Sequence, residues 1–85
     1  MTTLSSTIEA KLRAALSPER LEIEDDSASH AGHGASGAHV KVIVVSAAFA
    51  GKSLIQRHRL VNAALAEELT GPIHALQIVA RAPGE

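Results

Sequence analysis

FAGKSLIQRHRLVNAALAEEL, from Phe49 to Leu69, opens with a glycine-containing turn and runs into a helical pattern that carries the chain's densest positive charge. Leu54, His58, Val61, Leu65 and Leu69 recur at steps of four, three, four and four, which puts them on one side of a 3.6-residue helix. That side is expected to be buried, with Ser53 as N-cap and Gly51 in the turn before it. Lys52, Arg57 and Arg59 lie near the helix start, and the two arginines flank His58. A basic patch is therefore expected beside a histidine that faces inward. Thr70-Gly71-Pro72 ends the helix with a C-terminal glycine and a following proline.

Working outward, HVKVIVVS (His39 to Ser46) is nearly continuous in β-branched residues and reads as a central strand covered on much of both faces. Beyond the helix, Ile73 to Arg81 alternates Ile73, Ala75, Gln77 and Val79 with His74, Leu76, Ile78 and Ala80, the pattern of a third strand. Near the N-terminus, Ser6 and Glu9 have capping-box spacing, and Leu4, Ile8, Leu12 and Leu16 form an apolar stripe. A helix is predicted from about Ser6 to Leu16, stopped by Ser17-Pro18. Arg20 to Asp26, RLEIEDD, alternates Leu21 and Ile23 against Glu22 and Glu24 and reads as a strand with one wet face. Ser27 to Ala38 is built of Gly, Ser, Ala and His with no apolar period, so a loop holding His30 and His33 is expected. The order is αββαβ. It predicts an α+β domain in which a three-stranded sheet carries two helices on one face, with a right-handed crossover if strands two and three are parallel.

The 85 residues suit one domain, 1–85, with an economical core. One Phe and no Trp or Tyr make that core aliphatic. With no Cys, disulfides and any self-sufficient thiolate metal site are excluded, so a thiolate must come from a partner. The net charge of −1 argues against a protein that neutralises many phosphates through its overall field, although a local basic patch remains available. The N-terminus has neither a basic n-region nor a continuous apolar run, so a cytoplasmic protein with no membrane contact is expected.

Four features bear on chemistry. Gly51-Lys52-Ser53 matches the end of a phosphate-binding loop, but the first glycine would fall at Ser46, so a plain strand-to-helix turn is the better reading. His58 can be a base or ligand between two arginines; its place on the apolar stripe favours a framework histidine whose ring nitrogens bond to backbone or a neighbour. His30 and His33 form an HxxH pair that can ligate zinc but lacks a convincing fourth ligand, with Asp25, Asp26 or water as contributors, and loop histidines are usually just solvated. No Ser/His/Asp triad or paired-carboxylate site is present, so the chain is not expected to be an enzyme.

Taken together, Leu21-Glu22-Ile23, Asp26-Ser27, His30-Ala31-Gly32-His33, His39-Val40-Lys41-Val42, Val45-Ser46, Phe49-Ala50-Gly51-Lys52-Ser53-Leu54, Arg57-His58-Arg59-Leu60-Val61-Asn62 and Ile73-His74-Ala75-Leu76 resemble the BolA family over almost the whole chain. The resemblance implies a domain similar to the class II KH fold and a monothiol glutaredoxin as partner, the two sharing a [2Fe-2S] cluster to which glutathione contributes. It implies His74 as one ligand and His30 as the loop ligand, with His33 as the alternative. No cluster is expected in the isolated protein. Imidazole can replace thiolate on one iron, and because it must be deprotonated to bind, assembly is expected to weaken as pH falls through the histidine range. Some BolA-like proteins are DNA-binding transcriptional regulators, which implies duplex DNA as the rival partner and Lys52, Arg57 and Arg59 as the residues that meet it. No KH-type GxxG loop is evident, and a single aromatic provides no stacking platform for bases. Family members commonly continue past the third strand into a Pro-containing segment and a short helix, where the sequence here reads Ala82-Pro83-Gly84-Glu85.

Overall fold

A computed structural model describes residues 4–25 and 38–85. Helix α1 (Leu4–Leu16) leads through Ser17 and Pro18 to β1 (Arg20–Asp25). After β2 (Ala38–Val45), a single 3₁₀ turn at Ala47–Phe49 precedes α2 (Leu54–Ala64), α3 (Ala66–Leu69) and β3 (Ile73–Arg81). The sheet order is β1-β2-β3, with β1 antiparallel and β3 parallel to the central β2. The predicted αββαβ order holds.

Helix α1 begins at Leu4, so Ser6 lies inside it rather than at its cap, and Glu9 pairs with Arg13 one turn on at 2.9 Å instead of reaching back. Ile8, Leu12 and Leu16 are buried, as the stripe requires. Register pairs Leu21 with Val44 and Ile23 with Val42. Residues directly opposite share a face, and Val40, Val42 and Val44 are buried with Phe49, Val61 and Leu65 in one core. The other face of β2 departs from expectation. His39, Lys41, Ile43 and Val45 are only half-buried, because their β-branched members pair across strands on the wetter face.

The long helix departs from its prediction twice. Leu54 is 63% exposed and Ile55 65%. The first turn of α2 thus stands clear of the core, although Leu54 keeps the spacing of the stripe. The Ser53 capping box, made with Gln56, holds this turn without burial. At Leu65 the backbone leaves the helical well (φ −108°, ψ 20°), which divides the expected single helix into α2 and α3. That residue is fully buried, so tertiary contact overrides a sequence that has no Gly or Pro there.

Between β2 and α2 the chain is pinned at Ser46. Its buried hydroxyl donates to Leu16 O at 2.5 Å and accepts from Ala48 N at 3.1 Å, joining the end of α1 to the 3₁₀ turn. Replacing Ser46 by alanine strands the Leu16 carbonyl, and the expected loss in urea unfolding is about 1–3 kcal/mol. An unchanged midpoint would show that the bond is not made in solution.

Candidate functional site at the end of the sheet

Alternation along β3 would place His74 with Leu76, Ile78 and Ala80, on the side facing the helices. The ladder prevents this. Ala38 pairs with Ile73 but His39 pairs with Ala75, so β3 carries one more residue than β2 at this point. A bulge of this kind re-aims the extra side chain. The extra residue is His74, which is exposed between buried Ile73 and half-buried Leu76. Its ring lies against His39, with centroids 5.4 Å apart and planes inclined by 20°. Beside the pair, Glu24, His39, Val40, Lys41, Ala75, Leu76 and Gln77 line an open depression of about 400 Å³.

His39 was not singled out as a site residue from sequence, since an alternating strand gives no reason for it to meet His74. The only local signal was a histidine at the start of each of two strands predicted to run side by side. The loop histidines His30 and His33, with Asp26, lie outside the described residues. Among those described, no group of three or more His, Cys, Asp or Glu side chains is arranged to hold a metal ion.

The basic residues gather at the other end of the sheet. Ser46 N donates to Arg81 O, and Arg57 Nη1 donates to Ala80 O, which ties the start of α2 to the C-terminal end of β3. From His74 to Ala80 the strand rises about 20 Å. The structure therefore does not bring Lys52, Arg57 and Arg59 together with His74. Arg57 is also engaged within the fold: its guanidinium forms a two-pronged pair with Glu85, at 2.5 and 2.7 Å, and its Nε donates to Lys52 O at 3.0 Å. Lys52 and Arg59 are exposed, and with Gly51, Gln56 and Leu60 they line a second open depression of about 410 Å³. Gly51 has φ +74° with open space where a Cβ would stand, so backbone conformation alone asks for glycine.

Glu85 provides a titration signature. The Arg57 hydrogen bonds, helped by the Ala82 N–H, hold its carboxyl down from 4.5 to about 2. A depressed carboxyl contributes stability that is complete above its unfolded value and is lost as pH falls toward the folded one. A carbon-detected NMR titration should place the Glu85 midpoint near 2, and R57A should return it toward 4.5. A midpoint at the ordinary value in the unsubstituted chain would break the assignment.

His58 is half-buried, and its Nε2 is enclosed with no hydrogen-bond partner among the described residues. The half-buried position fits the framework histidine expected from sequence, but the expected bond to Nε2 is missing. Glu68 is the other unforeseen buried group. Lys11 reaches it at 2.7 Å and Glu67 at 3.2 Å, tying α1 to α3, and the Lys11 hydrogen bond lowers the Glu68 carboxyl's pKa.

Comparison with known proteins gives a consistent result. A family profile described as "BolA-like protein" matches residues 12–85. The chain is 54% identical over 82 residues to the human protein named "BolA-like protein 1", covering 96% of this chain and 60% of that protein's length. It is 45% identical over 71 residues to the Escherichia coli protein named "DNA-binding transcriptional regulator BolA", covering 84% of this chain and 68% of that one. Among solved structures, "BolA1 from Arabidopsis thaliana" superposes with a TM-score of 0.86 at 41% identity, covering 100% of this chain and 98% of that one. Among the described residues, no helix is long and apolar enough to cross a membrane.

Proposed function

Since the chain belongs to the BolA-like family, we propose that it is a binding partner, not an enzyme, which docks on a monothiol glutaredoxin and shares a [2Fe-2S] cluster with it in iron-sulfur trafficking or iron regulation. The observation that carries this is His74, an exposed imidazole turned out of the sheet by the bulge. It is a donor that fits such a cluster, and with no Cys in the chain the thiolates must come from the glutaredoxin and glutathione. When bound, the cluster would supply electron-transfer or iron-transfer chemistry, at a potential raised by imidazole in place of thiolate. The chain's own part is to present His74 from a rigid strand end and to offer the surrounding depression as a docking notch. A loop ligand, His30 with His33 as the alternative, completes the proposal. The same composition suits a reducing compartment, and we assign the assembly to the cytoplasm.

Mixing the purified chain with a cluster-loaded monothiol glutaredoxin, and reading native mass and visible circular dichroism, tests the proposal. The expected result is one heterodimer with an altered cluster spectrum. Absence of any complex would overturn it.

A second role rests on a separate surface. The Escherichia coli relative is named a DNA-binding regulator, and exposed Lys52 and Arg59 open the start of α2 here. Duplex DNA bound through them would dissociate steeply with salt and weaken in K52A and R59A.

A further inference from the structure

We infer that His39 and His74 form a two-imidazole site for a divalent first-row cation of the Zn²⁺ kind, filled by the chain without a partner. A tetrahedral ion about 2.0–2.1 Å from one nitrogen of each ring would hold the two ring centres roughly 5 Å apart. The observed separation is 5.4 Å with the rings stacked at 20°, so the spacing suits a shared ion while both rings must turn before their nitrogens converge on it. The two backbones are fixed by the β2–β3 ladder, with His39 paired to Ala75 and His74 in the bulge next to it. Little reorganisation is required of them. The final torsion of a histidine is broad, so each ring can turn a nitrogen toward a common point.

The surroundings define the kind of site. No third His, Cys, Asp or Glu closes on the pair among the described residues, so water fills the remaining positions and the ion is exchangeable. The adjoining depression supplies the room, and Glu24 and Gln77 on its wall offer oxygens to hydrogen-bond such waters. Lys41 lines the same depression and opposes a cation, but it lies in register with Glu24 on β1, so the wall carries balanced charge. Because His74 is common to this site and to the cluster proposed above, bound Zn²⁺ and cluster assembly exclude one another.

Zn²⁺ titration of the isolated chain, with no glutaredoxin present, is the test. Calorimetry should give one ion per chain at the pair, and the ring signals of His39 and His74 should move together in NMR of the unsubstituted protein. H39A and H39N should each weaken binding roughly tenfold or more, in a background carrying H30A and H33A to remove loop contributions, with far-UV circular dichroism confirming the fold. Zinc affinity indifferent to both His39 variants, a shift of the His74 ring without that of His39, or one ion per two chains would each overturn the inference. Failure here leaves heterodimer formation with glutaredoxin untouched, so the two proposals fail separately.

Discussion

Phe49→Ala is expected to remove about 3–5 kcal/mol of stability. Phe49 is fully buried and is the one aromatic in the chain. It sits in the 3₁₀ turn between β2 and α2, and that turn is capped by Ser46. Valines, leucines and isoleucines line the core around it, and none can swing into the volume of a lost ring without opening a gap elsewhere. A domain of this size holds roughly 5–15 kcal/mol in total, and each kcal/mol moves the melting midpoint by about 4–8 °C. A fall of at least roughly 12 °C in thermal circular dichroism should follow. Phe49→Leu, which keeps most of the volume, should lose markedly less. If F49A melted within a few degrees of the parent, the ring would not be the keystone of the turn.

The same residue illustrates what could be seen in advance. The glycine-containing turn that joins strand to helix is legible in the sequence, whereas the burial of Phe49 within it is not. The strands are legible too, because Leu21 and Ile23 alternate with glutamates and the nearly continuous run of β2 is short and rich in β-branched residues. Hidden from the sequence were single-residue events. Leu54 has the spacing of a buried residue yet is exposed, and Leu65 breaks a helix that its propensity would continue. Arg57 looked like a free docking cation, yet Glu85, 28 residues away, holds its guanidinium. The site suffered most from this. One extra residue in β3 moves His74 from the helix-facing side to the exterior and against His39, and hydropathy does not record which residue of a ladder is unpaired.

That displacement makes His74→Ala the sharpest functional test. The ring is exposed, so its loss should change stability by no more than about 0.5 kcal/mol and leave far-UV circular dichroism intact. The visible spectrum of the glutaredoxin heterocomplex should by contrast revert to that of the glutaredoxin alone, because His74 is the ligand that the proposed assembly takes from the sheet. Lys52→Ala and Arg59→Ala serve as the internal control. Their side chains lie at the far end of a strand that rises about 20 Å from His74, beyond the footprint of a ligand bond, and should leave that spectrum unchanged while weakening any DNA complex. The pattern is informative in both directions. Loss of the spectrum in K52A and R59A with H74A unaffected would transfer the docking site to the start of α2 and refute the cluster ligand, whereas the expected pattern separates the cluster ligand on β3 from the basic start of α2.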